Sequence, residues 1–222
     1  MIKAVIFDMY ETLITQYECP QYFGTQMALD AGVDEAKFQQ LWRPTEDDRS
    51  IGTYTLEEIL EIVLRKCDCF SESKLRELVV KRVTSKEQAF EHLHSDIIPM
   101  LTKIKEKGLQ IGLISNCFSE ESAVIKKSML YQFFDIACLS FDEGVKKPDE
   151  EIYRRCLGRL DLQPEECIYI GDGGSNELEA AKAIGMKAMQ AAWYLKEGTS
   201  QPCKRKADFE HLETPLDILK YL

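Results

Sequence analysis

The sequence predicts an α/β fold, a doubly wound and mainly parallel Rossmann-like sheet with an inserted all-helical domain. Five short apolar runs recur along the chain and read as strands. They are KAVIF (3–7), QIGLI (110–114), IACLS (136–140), CIYI (167–170) and KAMQA (187–191). Stretches with helical periodicity separate the last four runs, whereas the long segment after the first run contains no convincing strand.

The alternation of strands and helices predicts the connectivity of the sheet. A strand, a helix and a second strand in succession form a βαβ unit, in which the two strands are parallel. Because such crossovers have a fixed hand, successive units place helices on both faces of the sheet. We therefore expect a buried parallel sheet between two helical layers.

The segment 16–92 predicts a helical domain inserted after the first strand. It contains several amphipathic patches, including DEAKFQQLW and TLEEILEIVLRK, and Thr55 followed by Glu58 fits a capping box at the start of the latter. The predicted core domain is then 1–15 together with 93–222. At the end of the chain, TPLDILKYL predicts a helix that docks on this core.

Composition excludes some classes of partner and metal site. The 38 acidic and 28 basic residues give a net charge of −10, which disfavours a nucleic-acid partner. Eight cysteines are scattered, and the close pair Cys67 and Cys69 lacks the second ligand pair of a zinc site. With no signal peptide and no apolar run long enough to cross a membrane, we expect a reduced, cytoplasmic protein without a membrane partner.

Polar residues follow four of the predicted strands. In an open parallel sheet, ligands bind beyond the carboxyl ends of the strands, near the point where the strand order reverses. The residues there are Asp8, Tyr10 and Thr12 after the first run, Ser115 and Asn116 after the second, Lys146 and Lys147 after the third, and Asp172, Asn176 and Glu177 after the fourth. We expect them to converge on one crevice.

The chemistry of this set can be derived from the residue types. Two carboxylates at neighbouring strand ends form an oxygen-rich site that suits Mg²⁺ with an anionic substrate. A lysine beside them can pair with the substrate and keep a carboxylate ionised. Thr12, Ser115 and the backbone N–H of Asn116 can donate to phosphoryl oxygens. One carboxylate can act as a nucleophile and form an acyl-type intermediate that water hydrolyses.

Four segments, in order, resemble the motifs of the haloacid dehalogenase (HAD) superfamily of hydrolases. They are FDMYET, LISN, KKP and GDGGSNE, and the helical insertion after the first resembles the C1 cap of that superfamily. The resemblance implies that Asp8 is the nucleophile, that Thr12 and Ser115 bind phosphate, that Lys147 is the stabilising lysine and that Asp172 binds Mg²⁺.

Some assignments within this site stay open. We favour Lys147 over Lys146, because Lys147 directly precedes Pro148 as in the superfamily's motif. Glu177 either reaches the metal or occupies the first turn of a helix, where a negative charge is favoured. The candidate Mg²⁺ ligands are therefore Asp8, Tyr10, Asp172 and Glu177, the candidate catalytic residues are Asp8, Lys147 and Tyr10, and the candidate substrate contacts in the cap are Arg43 and Arg49.

The residue type at position 10 distinguishes the two reactions that the resemblance allows. The phosphatases of the superfamily normally have an aspartate there, which protonates the leaving alcohol, and a phenol with a pKa of about 10 is a poor base at neutral pH. The 2-haloacid dehalogenases have a tyrosine there, but they use no metal and typically lack the counterpart of Asp172. Because Asp172 is present, we expect a Mg²⁺-dependent phosphatase acting on a small phosphorylated metabolite. The alternatives are a dehalogenase acting on a halogenated acid, and a binding or regulatory protein with a weakened site.

Overall fold

The structure is a computed structural model that describes residues 1–196 and 203–222. Its centre is a six-stranded sheet in which every strand is parallel to its neighbours, with the order β3-β2-β1-β4-β5-β6. The strands are β1 Ala4–Phe7, β2 Gln110–Ser115, β3 Ile136–Leu139, β4 Cys167–Gly171, β5 Lys187–Ala191 and β6 Glu210–Leu212. The predicted fold class is confirmed.

The described part of the chain contains ten α-helices. They are α1 Gly24–Ala31, α2 Glu35–Trp42, α3 Glu46–Ser50, α4 Leu56–Lys66, α5 Glu72–Gln88, α6 Ile97–Glu106, α7 Ser119–Lys127, α8 Ser140–Glu143, α9 Glu150–Leu160 and α10 Glu177–Ala183. No helix among the described residues is long and apolar enough to cross a membrane.

Alternate side chains of β1 enter two different hydrophobic clusters. Val5 and Phe7 belong to one cluster and Ala4 and Ile6 to the other, and all four are fully buried. Since successive side chains of a strand point to opposite faces, the sheet is covered on both sides. The four residues of β1 therefore form a continuous apolar run, as the sequence shows.

The helices α1 to α5 lie between β1 and α6 and have a hydrophobic cluster of their own, which includes Met27, Phe38 and Leu60. The predicted capping box begins α4: Thr55 Oγ1 accepts from the N–H of Glu58, and Glu58 accepts from the N–H of Thr55 at 2.8 Å. The division into core and cap at 15/16 and 92/93 stays a prediction.

Two features near the end of the chain differ from the sequence-based expectation. The strand β6 was not predicted, because it has only three residues, of which Leu212 alone is fully buried. The predicted docking helix is a 3₁₀ helix, Pro215–Tyr221, and its Ile218 is buried in the same cluster as Ile104 of α6.

The order of the strands in the sheet reverses at β1. From β1 the strands β2 and β3 follow one another to one side, while β4, β5 and β6 follow one another to the other side. The crevice at such a switch in strand order is where open α/β sheets bind ligands. Asp8 directly follows β1 and Asp172 directly follows β4, so both residues border this crevice.

Candidate active site

Asp8 is held at the centre of the crevice. Its N–H donates a hydrogen bond of 2.8 Å to the carbonyl of Ile170, which continues the pairing of β1 with β4 by one residue. Its side chain is buried, and its Oδ1 lies 2.6 Å from Nζ of Lys147. The sequence-based expectation that a lysine lies beside Asp8 agrees with this contact.

Lys147 is positioned by the side chain of Asn116. The backbone N–H of Lys147 donates to Oδ1 of Asn116 at 2.8 Å, and Nδ2 of Asn116 donates to the carbonyl of Lys147 at 3.0 Å. These two hydrogen bonds fix the lysine's backbone against the end of β2. The Asn116 side chain thus positions a cation, a role that the sequence did not suggest.

The two candidate lysines have different partners. Nζ of Lys147 also contacts Glu177 and donates to the hydroxyl of Tyr169 at 3.2 Å. Lys146 instead forms an ion pair with Asp47 of α3, and its side chain remains 33% exposed. The preference for Lys147 as the residue beside Asp8 is therefore consistent with the structure.

Asp172 and Glu177 come from the loop and helix after β4. Oδ1 of Asp172 accepts from the N–H of Gly174 at 2.8 Å, and the N–H of Gly173 donates to Oε1 of Glu177 at 3.0 Å. Glu177 begins α10 yet is only 1% exposed, and its Oε2 accepts from the hydroxyl of Tyr169 at 2.8 Å. It points into the crevice rather than to solvent.

The three carboxylates form a compact buried cluster. One oxygen each of Asp8, Asp172 and Glu177 lies within 4.8 Å of the others. Burial, and after it the charge of Glu177, raise the pKa of Asp8 to about 7 and that of Asp172 to about 8. Burial alone would lower the pKa of Lys147, but the negative charges of Asp8 and Glu177 outweigh it and raise that pKa. Three carboxylates facing one lysine leave an excess of negative charge that a divalent cation with oxygen ligands would fit.

The structure does not bring every predicted residue to the cavity beside this cluster. Thr12 and Ser115 are both fully buried, and neither lines the cavity. The Ser115 hydroxyl donates to the carbonyl of Asn116 at 3.4 Å. Arg43 is exposed, donates to Gln39 at 3.2 Å and also lies outside the cavity.

Tyr10 lines the cavity but has no hydrogen-bond partner for its hydroxyl among the described residues. Burial, and after it the charge of Glu121, raise the pKa of its phenol well above the ordinary value. The phenol thus stays protonated at neutral pH. Of the four candidate metal ligands, the three carboxylates form the cluster, and Tyr10 adds a neutral group at the cavity wall.

The cavity has a volume of about 380 Å³ and is bounded by both the core and the inserted helices. Its lining residues are Asp8, Tyr10, Glu11, Gln16, Tyr17, Phe23, Glu46, Ser50, Asn116, Cys117, Phe118, Glu121, Lys146, Lys147, Asp172, Gly174, Ser175 and Glu177. A space of this size admits a small molecule.

The sequence did not indicate two residues of the site. Tyr169 is hydrogen-bonded to both Lys147 and Glu177. The feature of the sequence that could have indicated this role is a tyrosine within the otherwise aliphatic run of β4. Glu11 lines the cavity in a left-handed backbone conformation, with φ of 56°, and accepts from Thr15 Oγ1 at 2.6 Å. Backbone strain of this kind clusters at functional sites, but a single sequence does not reveal it.

Comparison with protein families and curated proteins gives consistent matches. A family model described as haloacid dehalogenase-like hydrolase matches residues 2–185. A glyceraldehyde 3-phosphate phosphatase of Methanopyrus kandleri is 24% identical over 191 residues, which cover 84% of this chain and 82% of that protein. The pyrophosphatase PpaX of Bacillus thuringiensis is 28% identical over 159 residues, covering 68% and 72%.

Solved structures resemble this fold over most of its length. A HAD family enzyme of Bacteroides thetaiotaomicron, in complex with magnesium and inorganic phosphate, has a TM-score of 0.66 at 18% identity and covers 91% of this chain and 98% of its own. A 2-haloacid dehalogenase of Pseudomonas syringae has a TM-score of 0.69 at 19% identity, with 99% and 97% covered. At these identities the likeness concerns the fold alone.

Proposed function

The chain belongs to the haloacid dehalogenase-like hydrolases, and on that basis we propose that it is a Mg²⁺-dependent phosphatase with Asp8 as its nucleophile. The observation that carries this proposal is the buried cluster of Asp8, Asp172 and Glu177, whose oxygens lie within 4.8 Å of one another. Displacement of a halide needs no such excess of negative charge. The phosphatase names of the two relatives support the same reaction.

Asp8, Asp172 and Glu177 are the residues that would hold the Mg²⁺ ion. When bound there, the ion supplies positive charge that neutralises phosphoryl oxygens. The donor set fits this role, since carboxylate oxygens are the ligands that Mg²⁺ prefers.

Lys147 prepares Asp8 for attack. It bonds Oδ1 of Asp8 at 2.6 Å and, by its charge, favours the ionised carboxylate. We assign the attack on phosphorus to the second oxygen, Oδ2, because Oδ1 is bonded by Lys147. The new bond from Oδ2 to phosphorus forms as the bond from phosphorus to the leaving oxygen breaks, and water then hydrolyses the acyl phosphate.

Tyr10 limits the range of good substrates. A phenol that stays protonated can donate a hydrogen bond but cannot activate water as a base. General acid–base help contributes about 10²–10⁴-fold, so its loss leaves a slower phosphatase. We expect substrates with good leaving groups, such as aryl and acyl phosphates, to react fastest.

The test is release of phosphate from p-nitrophenyl phosphate with Mg²⁺ and with EDTA. We expect turnover only with Mg²⁺ and none in the Asp8→Asn variant. Asp68→Asn, which makes the same chemical change at an exposed position, is the control and should retain activity. Turnover that survives Asp8→Asn would refute the assignment of the nucleophile.

A second candidate reaction rests on Tyr10. A departing halide needs no proton, so a tyrosine at this position suits the displacement of halide from a 2-haloacid. In that case EDTA-treated protein would release chloride from 2-chloropropionate. Chloride release without Mg²⁺, together with no phosphate release, would favour this reaction over the phosphatase.

A further inference from the structure

Arg49 is a buried cation in the inserted helices, close to the active site. It lies in α3 and is 4% exposed. Its guanidinium carbon is 3.9 Å from the centre of the Trp42 ring and 4.3 Å from the centre of the Phe118 ring. Trp42 belongs to the inserted helices and Phe118 to the core, so the guanidinium lies where the two parts meet.

The guanidinium of Arg49 has unused hydrogen-bonding capacity. Its Nε donates to Oγ1 of Thr45 at 3.0 Å. Its two terminal nitrogens have no hydrogen-bond or ion-pair partner among residues 1–196 and 203–222. An unpaired buried cation is unfavourable unless an anion compensates it.

The other buried cations nearby are already paired. Arg82 donates to Glu120 at 3.0 Å, and Nζ of Lys86 lies 2.7 Å from Oε1 of Glu121. Burial lowers the pKa of Arg49 to about 10, and the charges that act on it besides Arg82 are the carboxylates of Glu120, Glu46 and Glu121. Glu120 and Glu121 are already paired with Arg82 and Lys86, and Glu46 lines the same cavity as Arg49 but is exposed and forms no ion pair with it in the described part of the chain.

Arg49 lines a second cavity that adjoins the one beside Asp8. Its volume is about 240 Å³. The two cavities share Gln16, Phe23, Glu46, Phe118 and Glu121 as lining residues. The two cavities are therefore neighbours, and the proposal below requires a substrate that extends from one into the other.

We propose that Arg49 binds a carboxylate at the far end of the substrate, so that the preferred substrates are phosphorylated carboxylic acids. This inference rests on the proposed phosphatase function for the position of the phosphate. A carboxylate can bind the two terminal nitrogens that have no partner, because its two oxygens match the fork of the guanidinium. The aromatic rings on both sides hold that fork in place.

The test compares the binding of two ligands with the same three-carbon skeleton. 3-Phosphoglycerate ends in a carboxylate, whereas glycerol 3-phosphate ends in a hydroxymethyl group. Binding is measured by calorimetry with Mg²⁺ in the Asp8→Asn protein, which should not consume either ligand. We expect 3-phosphoglycerate to bind about 10- to 100-fold more tightly, because a hydrogen-bonded charge pair contributes on that scale.

Substitution of Arg49 should remove this preference. In Arg49→Met, which keeps an unbranched chain between the two rings, the ratio of the two Kd values should fall to near one. Arg49→Lys keeps the charge without the fork and should retain part of the preference for the carboxylate. This variant tests the proposal even if Arg49→Met does not fold. Arg65→Met is the matched control, because Arg65 stacks on Phe70 at 3.9 Å outside both cavities.

The outcomes separate this inference from the proposed function. Equal affinity for the two ligands, or an equal loss of both in Arg49→Met, would overturn the carboxylate subsite, even if p-nitrophenyl phosphate is hydrolysed with Mg²⁺. Conversely, a carboxylate preference that depends on Arg49 would stand even if no phosphate ester is hydrolysed, and then only the phosphatase proposal would fail.

Discussion

Oε1 of Glu177 occupies the space where a side chain on Gly171 would begin. An ideal Cβ on Gly171 would lie 1.9 Å from Oε1 of Glu177 and 2.5 Å from its carboxyl carbon. The last residue of β4 thus lacks a side chain so that the carboxylate can pack against the strand. This close approach directs Glu177 toward Asp8 and Lys147.

We predict that Gly171→Ala weakens Mg²⁺ binding and destabilises the protein. The added methyl group would force Glu177 out of the carboxylate cluster or displace β4, and overpacking of this kind costs about 1–3 kcal/mol. Urea unfolding and a Mg²⁺ titration followed by thermal shift would measure the two effects. Gly158→Ala is the control, since a Cβ there meets nothing within 4 Å and alanine favours the helix α9. Equal behaviour of the two variants would contradict the prediction.

We predict that the metal-free protein becomes less stable as the pH rises from about 4 to about 8. The pKa values of Asp8 and Asp172 are raised from 3.8 to about 7 and about 8 by burial and by neighbouring carboxylates. In that window the folded protein binds more protons than the unfolded chain, so the free energy of unfolding decreases with pH.

Mg²⁺ should reverse this loss, because it competes with protons for the same carboxylates. The increase in melting temperature on adding Mg²⁺ should be small at pH 5 and large at pH 8. Melting curves in EDTA and in Mg²⁺ across this range provide the measurement. A Mg²⁺ effect that is constant with pH would argue against proton competition at the cluster.

Two tyrosines of the site should respond differently to loss of the hydroxyl group. The Tyr10 hydroxyl has no partner among the described residues, so Tyr10→Phe should change the free energy of unfolding by less than about 1 kcal/mol or stabilise the protein. Tyr169 bonds both Lys147 and Glu177, so Tyr169→Phe should cost about 1–3 kcal/mol and weaken Mg²⁺ binding. Urea unfolding of both variants makes the comparison. A larger loss in Tyr10→Phe would show that its hydroxyl is bonded after all.

The ion pair between Arg82 of α5 and Glu120 of α7 should be important for stability. Both side chains are buried, and Arg82→Met would leave Glu120 without its partner, which costs about 3–5 kcal/mol. Lys81→Met in the same helix is the control; Lys81 pairs with Asp30 and Glu77 at the surface, where water and salt screen the charges. Urea unfolding should show a clear loss in the first variant and little change in the second.

The sequence predicted the strands and the strand-end residues well, because they follow from short-range pattern. β1, β2 and β4 are mainly apolar runs, and each is directly followed by a residue that lines the cavity: Asp8, Asn116 and Asp172. The partners of these residues were less accessible, because they depend on tertiary packing. The hydrogen bonds of Asn116 to Lys147 and of Tyr169 to Glu177 join residues 31 and 8 positions apart. No pattern in a single sequence encodes such distances.

The sequence predicted that the cap is helical, but it did not predict the contacts between the cap and the core. Arg43 and Arg49 were equally plausible as substrate contacts, since each is an arginine near Trp42. The structure distinguishes them by burial, because Arg43 faces solvent whereas Arg49 packs between Trp42 and Phe118. Phe118 is 69 residues further along the chain, so the stacking is invisible in the local sequence.

The position of β1 in the sheet also determines when the active site can form during synthesis. β1 pairs with β2 on one side and with β4 on the other, in registers that join Phe7 to Leu113 and to Ile170. During synthesis, Asp8 therefore cannot meet Asp172 until β4 has left the ribosome, although β1 can pair with β2 earlier. Because pairing over such separations is slow, assembly of the central strands should be a late step of folding. Asp8, the proposed nucleophile, therefore reaches its working environment only after strands much later in the chain have formed.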